Sequence, residues 1–175
     1  MWKLVISQLQ GGFKFTEICN QFFRENILFF FLFFSSSIIS QDIIDGEVPF
    51  QTDPAKKYSL YVPQSYDENV PNKLIIGFHP LNTSRWDAKS WRDTLINFSE
   101  SANAIMLCPD GGLDGKVDDP IDTAFTSFIL DSMKQVYNVD DTKIYAMGFS
   151  WGGRTTYTYG LNRPQLFEGH LVIGA

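Results

Sequence analysis

One six-residue segment, Gly148-Phe149-Ser150-Trp151-Gly152-Gly153, limits what this chain can fold into more than any other feature. The apolar residues 143–147 before it predict a β-strand, and residues 154–161 after it predict a helix. A sharp turn between these elements crowds the backbone, so the glycines on either side of the serine are expected to prevent Cβ clashes. The pattern predicts a nucleophile elbow with Ser150 at its tip.

The hydroxyl of Ser150 supplies the chemistry that such a turn predicts. An activated serine oxygen attacks acyl carbons, and the backbone N–H of Trp151 would face the oxyanion that forms. Acyl-transfer hydrolysis is therefore the leading hypothesis. A serine also needs a positioned base, and the 25 residues after Ser150 hold no histidine in a plausible base position. An ordinary glycine-rich turn without chemistry is the alternative.

Composition fits a globular catalytic domain and excludes several other classes. Hydrophobic residues make up 44% of the 175 residues, enough for one core. The net charge of -6, with no basic cluster, argues against a nucleic-acid partner. The chain has no phosphate loop, dinucleotide fingerprint or zinc spacing, so no cofactor or metal is predicted. Residues 110–115 resemble a calcium loop superficially, but they lack its ligand spacing and predict a solvated loop.

The first 40 residues differ from the rest and predict a secretory signal. Basic residues precede an apolar run from Ile27 to Ile39, which includes a short serine cluster. That run has 13 residues, whereas a membrane-spanning helix needs about 20. We therefore expect residues 1–40 to be a signal peptide or leader with only transient membrane contact, and the protein to be secreted or periplasmic. A buried helix of the domain is the alternative.

The two cysteines predict no disulfide in the mature protein. Cys19 lies in the leader, and Cys108 lies alone in the apolar run 104–109. Cys108 is expected to be a buried strand residue rather than a catalytic thiol.

Strand and helix patterns alternate after residue 57 and predict an α/β fold, with helices on both faces of a mostly parallel sheet. Residues 41–57 are predicted to be a linker or entry segment. The first two strands flank a turn rich in Pro, Asn and Asp and are expected to form a hairpin-like pair. The predicted strands are residues 58–62, 73–78, 104–109, 143–147 and 171–175, and the predicted helices are residues 87–102, 122–137 and 154–161.

The final segment, Leu171-Val172-Ile173-Gly174-Ala175, predicts a fully buried parallel strand. Buried strands are not left as bare hydrophobic edges at the end of a chain. The expectation is therefore a reading frame cut short after this strand, in a domain truncated beyond it.

A second constellation makes a family resemblance specific. His79-Pro80-Leu81 ends an apolar strand, and Asp118-Asp119 opens the helix before the elbow, with carboxylates suited to the helix dipole. Together with the Gly-x-Ser-x-Gly-Gly elbow, these segments resemble α/β-hydrolases, specifically the secreted esterases grouped with polyhydroxybutyrate depolymerases and feruloyl esterases. The resemblance covers residues 58–175 and implies an incomplete catalytic domain.

The resemblance implies a carboxylic-ester hydrolase acting through an acyl-enzyme on Ser150. Leu81 and Trp151 would donate the oxyanion-hole N–H groups. His79 would support the oxyanion loop, a role compatible with a simple structural histidine. Pro80 departs from the glycine that the family usually has, but the implied donor is the next residue, so the loop shape changes more than the hole.

The resemblance also implies that the catalytic acid and the base histidine are not present in the chain, because family members carry them on loops after later strands. His170, at the start of the last predicted strand, is expected to flank that strand. Trp86 and Trp91 could stack on a sugar or phenolic group, although packing of a helix on the sheet is the favoured interpretation.

Three functional classes stay open from sequence. The leading one is an esterase acting on a small-molecule or polymer-linked ester, whose identity is not specified because loops build its pockets. A serine peptidase of the prolyl-oligopeptidase type shares the elbow pattern. A non-catalytic α/β-hydrolase-like binding protein is the third, and the oligomeric state is open in each case.

Overall fold

The computed structural model describes residues 41–81 and 84–175, so the predicted leader lies outside the described residues. A six-stranded sheet has the order β1-β2-β4-β3-β5-β6. Its strands are β1 (Asp42–Phe50), β2 (Thr52–Val62), β3 (Asn72–Phe78), β4 (Ala104–Pro109), β5 (Val139–Phe149) and β6 (Gly169–Ile173). The helices are α1 (Ala88–Ala102), α2 (Pro120–Val136) and α3 (Trp151–Leu161), with a 3₁₀ turn at Gly112–Asp114.

The predicted α/β class is confirmed. Strands β4, β3, β5 and β6 run parallel to one another, and β2 joins them antiparallel through β4. Helix α1 packs on one face, where Trp91 and Leu95 belong to the same apolar cluster as Ile75. Helices α2 and α3 cover the other face, where Phe125 and Tyr159 share a second cluster.

The predicted hairpin between residues 58–62 and 73–78 is wrong. Strand β4 lies between β2 and β3, parallel to β3 and antiparallel to β2. The connection from β3 through α1 to β4 is a crossover, which returns the chain beside β3 in the same direction. Strand β2 then pairs with β4 on the side of β4 that faces away from β3.

The segment 41–57, predicted as a linker or entry segment, instead forms β1 and the first part of β2, which pair antiparallel. Ile44, Val48 and Phe50 are half-buried at alternate positions of β1 and pack against the cluster that contains Phe125 and Tyr159. This period of two is the strand signal that its polar composition obscured.

Capping residues define the helix ends close to their predicted limits. Asp87 and Ser90 form a capping box at the start of α1, and Asn103 ends that helix in the left-handed region with φ 49°. Asp119 caps α2 by accepting a hydrogen bond from the backbone of Asp122, with Pro120 in the first turn. No helix of the described ranges 41–81 and 84–175 is both long and apolar enough to cross a membrane.

The last predicted strand exists and runs parallel to β5, but the prediction that it is fully buried is wrong. Leu171, Val172 and Ile173 are 46%, 39% and 41% exposed. Strand β6 lies at the edge of the sheet, which leaves these side chains partly open to solvent.

Candidate active site

Ser150 lies between the end of β5 and the start of α3, at the predicted sharp turn. Its backbone has φ 55° and ψ −117°, a conformation that a residue with a side chain rarely adopts. The Ser150 N–H donates to the carbonyl of Ile173 at 2.8 Å, and its own carbonyl accepts from the N–H of Arg154 at 3.1 Å. These bonds hold the turn on both sides and leave Ser150 exposed at the end of the sheet.

The two glycines flanking Ser150 permit close backbone approaches, as predicted. A Cβ on Gly148 would lie 2.2 Å from the carbonyl oxygen of Gly152, so the strand could not pass the helix. A Cβ on Gly152 would lie 2.0 Å from the carbonyl oxygen of Phe78 in the neighbouring strand. Gly152 therefore brings the first turn of α3 against the end of β3, a contact that sequence spacing did not indicate.

The register of the sheet brings the two predicted oxyanion donors to the same edge. Phe78 of β3 pairs with Gly148 of β5 in parallel. Leu81 follows three residues after the first of these, and Trp151 three residues after the second. The N–H of Trp151 is in the first turn of α3, where a helix provides no internal acceptor for it. Leu81 is half-buried.

His79 is fully buried and holds the backbone that leads to Leu81. Its Nδ1 lies 2.6 Å from the carbonyl oxygen of Pro80, and its Nε2 accepts from the backbone N–H of Gly111 at 3.0 Å. An amide N–H can only donate, so Nε2 must be the unprotonated nitrogen and Nδ1 the donor to Pro80. Both ring nitrogens are engaged, and neither is available to Ser150.

His170 lies far from the candidate nucleophile. It pairs with Ala146, four residues before Ser150 along β5, a distance of roughly 13 Å at the usual rise per residue. Its ring packs beside Gly160 and lies 5.2 Å from the ring of Phe167. Since the chain has two histidines, neither of them can serve Ser150 as a base.

The indole of Trp151 makes a contact that sequence reasoning missed. Its Nε1 donates to Oδ2 of Asp118 at 3.1 Å. Asp118 was assigned with Asp119 to the dipole of α2, and Asp119 does cap that helix, but Asp118 turns to the elbow. The two partners are 33 residues apart, and no local spacing signals such a pair.

A network of bonds holds the start of α2 near this contact. Asp122 is buried, forms an ion pair with Lys56 of β2, and donates its backbone N–H to the carboxylate of Asp119 at 2.6 Å. Burial raises the pKa of the Asp122 carboxyl, although the bond from Lys56 and its charge act in the opposite direction.

Three further predictions concern residues near the site. Trp91 is 6% exposed and meets Trp86 edge-on at 5.7 Å, so packing of the helix on the sheet accounts for this pair. Asp110 accepts a bond from the backbone N–H of Ala88 in α1 at 3.1 Å and one from that of Gly112 at 2.7 Å, so both of its carboxylate oxygens are hydrogen-bonded to backbone. Cys108 is fully buried in β4, as predicted.

Comparison with known proteins defines the fold class first. A ferulic acid esterase of known structure superposes with a TM-score of 0.62 at 16% identity, covering 78% of this chain and 58% of that one. The architecture, with a strained serine between β5 and α3, is that of the α/β-hydrolases.

Sequence similarity then points to a particular group of esterases. The chain is 28% identical over 124 residues to a probable feruloyl esterase C of Aspergillus niger, covering 67% of this chain and 46% of that protein. It is 26% identical over 130 residues to feruloyl esterase D of Neurospora crassa, covering 68% and 45%. The chain thus spans about half the length of the curated relatives it matches, and no protein-family model matches it.

Proposed function

We propose that the complete protein hydrolyses carboxylic esters through an acyl-enzyme on Ser150. One observation carries this proposal: Ser150 is exposed in a strained turn, at the sheet edge where the segment after β3 and the first turn of α3 also meet. The similarity to feruloyl esterases supports the same chemistry. A strained backbone conformation costs free energy, and such conformations cluster at functional sites. The strain at Ser150 therefore favours a functional role for this residue.

The proposed reaction has two steps. The oxygen of Ser150 attacks the acyl carbon, the ester C–O bond breaks, and the alcohol leaves with a proton. Water then attacks the acyl-enzyme and releases the acid and free Ser150. In both steps the oxyanion would accept bonds from the N–H groups of Leu81 and Trp151.

We propose that the base and the acid that orients it belong to the part of the complete protein that this chain does not contain, since the chain spans about half the length of its relatives. Both histidines of the chain are engaged elsewhere, His79 in the loop after β3 and His170 beside α3. The order Ser, acid, His along the chain is the one usual for this fold. A histidine in that position would activate Ser150 and then protonate the leaving alcohol.

For the substrate, we propose esters of ferulic acid, the acyl group that the names of the relatives indicate. We further propose that the protein is secreted, with residues 1–40 as the signal. N-terminal sequencing of the exported protein tests this second point. A mature N-terminus close to residue 41 is expected, and an exported protein that retains the leader would contradict it.

The test of the activity uses the full-length protein. Hydrolysis of methyl ferulate and of p-nitrophenyl acetate is measured beside hydrolysis of a peptidyl amide. A fluorophosphonate probe identifies the reactive residue by mass spectrometry. The matched control is Ser101→Ala, because Ser101 is an exposed serine of α1 whose hydroxyl donates to the carbonyl of Asn97 in the same helix.

We expect ester turnover, probe attachment at Ser150, and a loss of more than roughly 10³-fold in kcat for Ser150→Ala, with Ser101→Ala unchanged. Faster cleavage of the peptidyl amide would favour the peptidase class. Turnover that survives Ser150→Ala would refute the proposal, and a folded protein with no turnover at all would favour a binding protein.

A further inference from the structure

Three polar contacts hold the indole of Trp151. Its Nε1 donates to Asp118, and two cations lie over its ring: the Nζ of Lys116 at 4.9 Å and the guanidinium carbon of Arg154 at 4.6 Å from the centroid. A tryptophan side chain has only two rotatable bonds. Fixing its far end therefore restricts the backbone of Trp151, whose N–H is a proposed oxyanion donor.

The chain that follows Asp118 is anchored to the interior of the domain. Four residues further on, the carboxylate of Asp122 is 2% exposed and paired with Lys56 of β2. Asp119, the residue directly after Asp118, caps α2 through a 2.6 Å bond from the backbone of Asp122. The backbone next to Asp118 is therefore held in place, although the Asp118 carboxylate lies at the surface.

The loop that carries Asp118 also contacts the segment that leads to Leu81, the second proposed oxyanion donor. Residues 110–119, which we call the bridging loop, reach His79 through the N–H of Gly111. Gly111 packs so tightly that a Cβ there would lie 2.4 Å from the carbonyl carbon of Lys116. One end of the bridging loop therefore holds the segment leading to Leu81, and the other end holds Trp151.

We propose that Asp118 is a positioning residue that keeps the N–H of Trp151 aimed at the oxyanion by anchoring its indole. This inference rests on the proposed function. Asp118 touches no reacting atom in this scheme. Its effect passes entirely through the Nε1 of Trp151, and this makes the inference testable, because removing either partner should remove the same interaction.

The test compares four variants of the full-length protein: Asp118→Ala, Asp118→Asn, Trp151→Phe and the double variant Asp118→Ala/Trp151→Phe. Loss of a whole oxyanion donor costs about 10² in kcat or more, so loss of its alignment is expected to cost roughly tenfold. KM should change little. Asp118→Asn should recover most of kcat, because its amide oxygen still accepts from the indole.

The double variant gives the sharpest readout. If Asp118 acts through the indole, Asp118→Ala has no further effect once Trp151→Phe has removed the Nε1 donor. Multiplying losses would overturn the inference, as would an unchanged kcat in Asp118→Ala or a change confined to KM. Asp131→Ala, at an exposed acid of α2, controls for the lost charge.

The controls separate this inference from the proposed function. A Ser150→Ala variant without turnover, beside an Asp118→Ala variant with wild-type kcat, refutes only the role of Asp118. Turnover in Ser150→Ala refutes the proposed function itself. The rate of fluorophosphonate attachment gives an independent measure, since the phosphonyl oxygen occupies the same hole, and it should fall with kcat in Asp118→Ala but not in Asp131→Ala.

Discussion

At the scale of single residues, the elbow has no room for a side chain where α3 crosses the end of β3. The position of Gly152 is enclosed by the carbonyl oxygens of Phe78 and His79, at 2.0 Å and 2.7 Å from an added Cβ. Backbone atoms of a buried strand cannot move aside as a flexible side chain can. The geometry around Ser150 therefore depends on this glycine directly.

We expect Gly152→Ala to lower the free energy of unfolding by about 3 kcal/mol, since it overpacks backbone against backbone. Ester turnover of the full-length protein should be lost as well, because α3 and its first N–H would shift. Urea unfolding measures the first effect. Gly169→Ala is the control, where the nearest atom, in the ring of Tyr145, is 3.4 Å away. Equal stability of the two variants would contradict the argument.

Cys108 gives a second prediction at this scale. Burial raises the pKa of its thiol, and the nearby charge of Arg92 opposes this only in part. The thiolate that reacts with alkylating agents is therefore scarce even at alkaline pH. We expect the peptide containing Cys108 to stay unmodified by iodoacetamide at pH 8.5 in the folded protein and to react fully in denaturant. Modification of the native protein would show that β4 opens or is less buried.

At the scale of elements, the position of α1 depends on one buried cation. Arg92 is 1% exposed and donates to the carboxylate of Asp45 at 2.8 Å and to the carbonyls of Ile44 and Leu60, both at 3.3 Å. It thus connects α1 to β1 and β2. Those strands include most of residues 41–57, the segment predicted to be a linker or entry segment.

Arg92→Met should lower the free energy of unfolding by about 2 to 3 kcal/mol, because it leaves acceptors unpaired at a buried contact. Lys89→Met tests a matched case, since Lys89 pairs with the same Asp45 at 3.2 Å but is 63% exposed. An exposed pair contributes less than about 1 kcal/mol. Thermal unfolding measures the loss of stability in both variants. A larger loss for Lys89→Met than for Arg92→Met would contradict the prediction.

At the scale of the whole molecule, the domain leaves apolar surface along one side of the sheet. Phe98, Phe149, Leu171 and Ile173 are each more than 40% exposed. A cavity of 370 Å³ lies on this side and is lined by Ile75, Phe98, Tyr145 and Leu171, among others. Contiguous apolar surface of this kind favours association.

The 175-residue chain expressed alone is therefore expected to be insoluble or inactive. The exposed β6 favours self-association, and neither histidine reaches Ser150. Size-exclusion chromatography and ester turnover, with the full-length protein beside it, provide the measurements. A soluble monomer that turns over esters at the rate of the full-length protein would contradict both parts of the expectation.

The sequence alone determined the elements whose signals are local. The helical patterns of residues 87–102 and 122–137, the apolar run of β4 and the glycines around Ser150 predicted two helices, a buried strand and a strained turn. Each depends on contacts within a few residues, so propensity and spacing contain the necessary information.

Only the tertiary structure decided which of these elements meet. The place of β4 between β2 and β3, the exposure of β6, and the bond from Trp151 to Asp118 all join or separate residues far apart in the chain. Local patterns cannot encode such pairings, because the free energy that selects them comes from burying surfaces of the whole domain together. The elbow was therefore predictable from sequence, and the loop that holds it was not.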